Sequence, residues 1–389
     1  MTQFPAGTIL GYPRIGRRRE LKRAVEAHWR GEIDEEALEA VAADLRRVTR
    51  ERLAELGLGR TDSAIPESFS FYDQVLDVAA SVGAVPERFA HLRHDDGSVP
   101  LAASFTAARG EGDAAPLEMT KWFDTNYHYL VPEIGPETRF ALSSDRFARQ
   151  VAEAVADGYV TRPVLVGPVT FLALSKPTDA APDTRPLDRL DDVLPVYVEL
   201  LAALRDAGAE WVQLDEPALV SQSLGYTDAE LAAAITRAAE VLTASADRPS
   251  ILVAAGYGAL SDAAWQALAE SEVEGIAIDL TRGSVPAAAP GLRSKVLVGG
   301  VIDGRNIWRG DLAAAADTLA AAAELGAATT AAGTSTSLQH VPHDLADEPD
   351  LDSRLVSWLA FADQKVAQVA TLARGLRDGR ESISAEVDA

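Results

Sequence analysis

Short, almost wholly apolar runs such as PVLVGPVTFL, GIAIDL and VLVGGVIDG recur along the chain, and Ala-rich amphipathic stretches such as LAAAADTLAAAAELG lie between the later ones. An apolar run without polar alternation is a strand covered on both faces. Strands of that kind are parallel, and each needs a crossover that a helix supplies. Nine runs qualify: TILGYP, ESFSFYD, EMTKWFDTNYHY, PVLVGPVTFL, WVQLDEPALV, SILVAAGYG, GIAIDL, VLVGGVIDG and ATTAAGTSTS. So many repeats favour an α/β fold, a single (β/α)8 TIM-type barrel, over an open doubly wound sheet. Nine is one more than a closed eight-stranded barrel uses, so one run is an edge extension or not a strand. The expected organisation is one barrel over 1–389. It carries a long N-terminal helical region from about Arg17 to Leu58, broken near RGEID, a terminal helix, and a frayed polar tail over 380–389.

Composition excludes several function classes. A formal net charge of −23 argues against nucleic acid or an anionic membrane as partner, since both need a broad basic face. The chain has no Cys, which removes disulfides, thiolate nucleophiles and Cys-ligated zinc. The start MTQFPAGTIL lacks the pattern of a signal peptide and no run is long enough to span a bilayer, so a cytoplasmic location is expected. No dinucleotide fingerprint or P-loop opens any strand–helix turn.

Against that negative background, six of 36 basic residues fall within GYPRIGRRRELKR: Arg14, Arg17, Arg18, Arg19, Lys22 and Arg23. The pattern places them after a strand and at the start of a helix, the edge of a barrel where sites are built. Cations there oppose the helix dipole unless an anion completes the arrangement. The competing interpretation is a solvated patch facing an acidic surface. In EMTKWFDTNYHYLVPE, Lys121 lies beside Trp122, with Asp124, Asn126, Tyr127 and His128 close by, and either points to the mouth or snorkels outward. In QLDEPAL, Asp215 and Glu216 end an apolar strand; adjacent strand residues face opposite sides, so one can reach the mouth while the other braces a loop. Arg14, Asn126, Asp215 and Glu216 are therefore rim candidates. His91 and His94 sit in a polar loop with only Asp95 and Asp96 beside them, and Pro342 spoils helical stacking of His340 and His343, so no metal site is expected from either pair.

The stretches LGYPRIGRRRELK, FSFYDQVLD, EMTKWFDTNYHYLVPE, RPVLVGPVTFL, WVQLDEPALV, VIDGRNIWRGDL and SWLAFADQKV run in an order that resembles the N-terminal half of cobalamin-independent methionine synthase. That family passes a methyl group from methyltetrahydrofolate polyglutamate to homocysteine. The resemblance implies a first barrel that helps bind the folate oligoglutamate tail, through Arg18, Arg19, Glu20 and Leu21, with Lys22 adjacent, and Lys121. It places zinc, held by His, Cys and Glu, in a separate C-terminal barrel. The chain departs from the family pattern at Thr336, where a Cys is common, and at AAGYG. The expectation is a 5-methyltetrahydropteroyl-oligoglutamate-binding barrel with no cofactor of its own and no methyl transfer unaided, with a separate zinc barrel as partner. The alternatives are a standalone metal-free barrel enzyme acting on a carboxylate-rich substrate through Lys121, Asp215 and Glu216, or a non-catalytic partner of a zinc barrel.

Overall fold

A computed structural model describes residues 3–387. Eight of the nine apolar runs overlap a barrel strand. These are β1 (Gly7–Thr8), β2 (Pro66–Glu67), β3 (Arg162–Val166), β4 (Trp211–Asp215), β5 (Ser250–Ala255), β6 (Gly275–Asp279), β7 (Val296–Ile302) and β8 (Thr329–Thr334). They pair in parallel around the ring from β2 through β8 to β1. The ninth run, EMTKWFDTNYHY, is the one outside the barrel. Met119–Lys121 pairs antiparallel with His128–Leu130, and this hairpin stands in the long β2–β3 connection.

The sheet closes without a backbone ladder between β1 and β2. Side chains make that joint. Thr8 Oγ1 donates to the carbonyl of Ala64 (2.7 Å), and the buried Arg162 reaches the carbonyls of Ser63 (2.6 Å) and Ile9 (2.8 Å). Gln213, also inside the barrel, donates to the Leu10 carbonyl at 3.0 Å. Around these polar groups the interior is filled by Phe4, Leu10, Trp211, Leu252, Val298 and Ala331.

Two helices follow β1. Helix α1 (Glu20–Trp29) and helix α2 (Glu35–Glu55) are separated at the expected break, and Asp34 caps α2 by accepting from the Ala37 N–H. A buried ion cluster fastens α2 to the barrel. Arg50, 1% exposed, contacts Glu67 at the end of β2 (3.1 Å), Glu153 (2.9 Å) and Asp157 on or beside the helix Arg146–Ala156. The segment read as a tail is described to residue 387: a 3-10 turn, Arg380–Ile383, then a short helix, with Ile383 buried. No helix among the described residues is long and apolar enough to cross a membrane.

Candidate functional site

The loops that follow β1, β5, β7 and β8, together with the hairpin, meet at the C-terminal ends of the strands. There they enclose two adjoining cavities that share Tyr127 and Gln339. One, about 460 Å³, is polar and is lined by Lys121, Asp124, Asn126, Arg305 and His340. The other, about 490 Å³, is mostly apolar and lies under α1, against Leu21, Val25, Trp29, Phe71 and Tyr72.

The basic stretch divides into two groups. Gly16 takes a left-handed φ of 82°, and a Cβ there would lie 2.1 Å from the Glu20 carboxylate. The turn it permits brings the Arg19 N–H to the Gly16 carbonyl (3.0 Å), and Glu20 folds back to accept from the Arg18 N–H (2.9 Å). Arg19 itself is left-handed at φ 62°, which costs a non-glycine residue about 1 kcal/mol. Two cations are committed to the scaffold. Arg14 donates to the carbonyls of Ser70 (2.6 Å) and Tyr72 and lies over the Tyr127 ring. Arg17 pairs with Asp344 (3.1 Å) and Asp347 (2.7 Å). Lys22 stands 3.6 Å from Glu26, an exposed i,i+4 contact of little weight. The Arg18, Arg19 and Arg23 side chains are exposed and have no ion-pair partner among the described residues. Leu21 is buried and forms part of the apolar cavity wall.

Lys121 is exposed on the hairpin and has no ion pair among the described residues; Asn126 is exposed beside it. Asp215 is half-buried at the end of β4. Burial pushes its carboxyl up to about 7, opposed by the Gln213 amide that donates to it at 2.6 Å and by Arg162. Glu216, offered as a rim residue, is instead wholly buried. It accepts from the Thr170 (2.6 Å) and Val169 (3.1 Å) N–H groups, fixing the loop after β3, and burial likewise raises it to about 7. A Cβ on Gly167 would meet that carboxylate at 2.2 Å, so the glycine is what lets Glu216 in.

Sequence reasoning passed over Tyr257 and Arg305, which the fold brings here, and weighed His340 only as a metal ligand. Tyr257, in the departing AAGYG segment, is left-handed at φ 76° and stacks on Phe123, itself at φ 46°. Its hydroxyl is 2.7 Å from His340 Nε2. Arg305 holds Asp124 (3.1 Å) with help from Arg282 (3.2 Å). The usable signal was position alone: Tyr257 and Arg305 follow the ends of β5 and β7 by two and three residues. His340 and His343 do not share ligands; among the described residues no three His, Cys, Asp or Glu side chains converge as a metal site would need.

A family profile described as "Cobalamin-independent synthase, N-terminal domain" matches residues 6–327. The chain is similar to 5-methyltetrahydropteroyltriglutamate–homocysteine methyltransferases. That of Mycolicibacterium paratuberculosis is 50% identical over 384 residues, 98% of this chain and 49% of the relative. That of Streptomyces avermitilis is 49% identical over 388 residues, 98% and 49% respectively. The chain thus spans about half the length of the curated relatives it matches. Among solved structures, a putative vitamin-B12 independent methionine synthase from Listeria monocytogenes superposes with a TM-score of 0.62 at 14% identity, covering 96% of this chain and 98% of its own. A B12-independent methionine synthase from Shewanella sp. W3-18-1, solved with selenomethionine, gives 0.58 at 15% identity, covering 98% and 99%. At such identities the likeness is one of fold.

Proposed function

The chain belongs to the cobalamin-independent methionine synthase family through its N-terminal domain, and from that premise we propose that it is the barrel that holds the oligoglutamate tail of the folate. One observation carries this reading. In a chain with 59 acidic and 36 basic residues, Arg18, Arg19, Arg23 and Lys121 are exposed with no carboxylate partner among the described residues, on the barrel face where sites are built. Planar Arg forks suit carboxylates, and Lys121 adds a point charge at the wall of the polar cavity. The strained Arg19 backbone is the kind of local cost that persists where geometry serves a site.

On this reading methyl transfer from 5-methyltetrahydropteroyltriglutamate to homocysteine is shared with a second, zinc-bearing barrel. The residues of this chain do not fit zinc: there is no Cys, and no three-ligand group among the described residues. No step is therefore assigned to a metal here. The chain's own part is to gather a polyanionic substrate against a net charge of −23 and to fix its tail. Calorimetric titration with mono- and triglutamate forms of 5-methyltetrahydrofolate tests it: affinity rises with glutamate number, and equal affinity would overturn the proposal.

A second reading, a metal-free barrel enzyme acting on a carboxylate-rich substrate, is favoured by Asp215, whose carboxyl near 7 suits a general acid–base at the mouth. It requires turnover by the chain alone that is abolished in Asp215→Asn.

A further inference from the structure

On the polar side of the mouth one exposed carboxylate holds two arginines. Asp124 lies in the turn of the hairpin with its side chain 80% exposed, and it accepts from Arg305 (3.1 Å) and Arg282 (3.2 Å). Both guanidiniums reach the same oxygen, Oδ2. Arg305, with Arg282 behind it, holds that carboxyl below its ordinary range. The two halves of the contact are unlike. The cations belong to the barrel. Arg282 follows β6, and its N–H donates to the buried Asp279 (3.0 Å); Arg305 follows β7, and its N–H donates to Asp303 (2.7 Å). The Arg305 side chain is only 11% exposed and lies over the Tyr257 ring. The anion belongs to a turn that closes without it. The Trp122 N–H donates to the Tyr127 carbonyl (2.8 Å), Thr125 Oγ1 donates to the Trp122 carbonyl (2.6 Å), and the Trp122 side chain is buried. An ion pair as exposed as Asp124 makes contributes little to holding such a turn. The left-handed Phe123 beside it is a backbone cost of the kind that gathers at sites.

We propose that Arg282 and Arg305 are a carboxylate-binding site whose resident occupant is the chain's own Asp124, and that a ligand carboxylate entering the polar cavity takes its place. Asp124 and Arg305 both line that cavity of about 460 Å³, so the incoming group has room beside the pair. Displacement needs only the rotation of an exposed side chain. Arg305 stays in place meanwhile, because it also donates to the Asp124 backbone carbonyl. A carboxylate free to set its own orientation gives each guanidinium a separate oxygen, a better use of two donors than the shared Oδ2. Asp124 competes as a tethered group, at high effective concentration, so a lone carboxylate gains little by replacing it. A ligand with a second carboxylate gains more, since Lys121 lines the same cavity. The inference rests on the reading above only for what bears the carboxylates, a glutamate tail; the site itself is equally open to a small dicarboxylate.

Glutarate and triglutamate, titrated against the full chain by NMR and calorimetry, test it. Asp124→Asn should tighten both by about five-fold, the worth of one exposed charged contact. Asp95→Asn makes the same charge change at an exposed position in another loop, and so measures the general gain of a less negative chain; it should give far less. The gain should vanish when Asp124→Asn is combined with Arg305→Gln. It should shrink with Arg282→Gln, a half-exposed position, so a misfolded Arg305→Gln does not end the test. If Asp124→Asn gains no more than Asp95→Asn, or if its gain survives the arginine substitutions, Asp124 is a structural tie with no site behind it, whatever affinity the unsubstituted chain has for triglutamate. If affinity for the folate does not rise with glutamate number while glutarate shows the arginine-dependent gain, the tail reading fails and the carboxylate site stands.

Discussion

The Tyr257 hydroxyl lies 2.7 Å from Nε2 of His340, joining the loop after β5 to the loop after β8 across the mouth of the barrel. His340 is pressed from two sides. Burial disfavours its charged form, and the Arg305 guanidinium adds a like charge, so its pKa falls to about 4. A depressed histidine contributes stability that is fully present above its ordinary value of about 6.5 and is lost as pH falls from there toward 4. NMR titration of the imidazole should give a midpoint near 4, and Arg305→Gln should move it upward. A midpoint at the ordinary value in the unsubstituted chain would contradict this geometry.

Asp215 should show the opposite sign. Its folded carboxyl, raised to about 7, holds its proton longer than the unfolded chain does. Its contribution is therefore fully present below about pH 4 and is lost as pH rises through 7. Asp215→Asn keeps an acceptor for Gln213 but does not titrate. Urea unfolding of the two proteins at pH 5 and pH 8 should show the substituted chain gaining on the original by on the order of 1–3 kcal/mol as pH rises. A constant difference would mean the carboxyl ionises normally.

Arg18→Ala with Lys121→Ala should weaken triglutamate-folate binding without lowering Tm by more than a degree or two, because both side chains are exposed and without ion pairs among the described residues. Each exposed contact is worth about 1 kcal/mol or less, so the pair should cost up to about thirty-fold in affinity. The unsubstituted chain should itself lose affinity between 50 mM and 500 mM salt, as charges on the surface are screened. Titration of the double variant with unchanged affinity would leave the basic turn as a solvated patch.

Arg50→Ala should be among the most damaging single changes away from the mouth. It strands the Glu67 and Asp157 carboxylates, leaves Glu153 only its contact with Arg46 (2.6 Å), and unties α2 from β2. Loss of one partner in a buried ion cluster typically costs about 3–5 kcal/mol. Equilibrium unfolding should register that loss with tail binding retained in whatever fraction remains folded; a loss under 1 kcal/mol would show the cluster to be dispensable.

The barrel was legible because its signal is local: each apolar run declares its own burial on both faces. The hairpin was not, since Met119–Lys121 and His128–Leu130 look like strand and become a rim element only through the partner each pairs with. The same limit governs the basic turn. Its charges are plain in the sequence, but which are spent is decided far away. Arg17 meets Asp347 across 330 positions and Arg14 meets Ser70 across 56. Glu216 could be seen at a strand end, yet whether it faced water or the Thr170 amide depended on room made at Gly167. Tyr257, Arg305 and His340 come from three separate loops, and nothing within any one of them announces the others.

The joint between β1 and β2 has a mechanical consequence. Strands within a ladder separate only by breaking a row of backbone bonds together, whereas a joint of side-chain bonds loosens one contact at a time. β1 has a single ladder, to β8, and β2 likewise has only one, to β3. The seam is therefore the part of the ring that gives way piecemeal, and the amides beside it, at Ile9 and Leu10, are where breathing of the barrel would register.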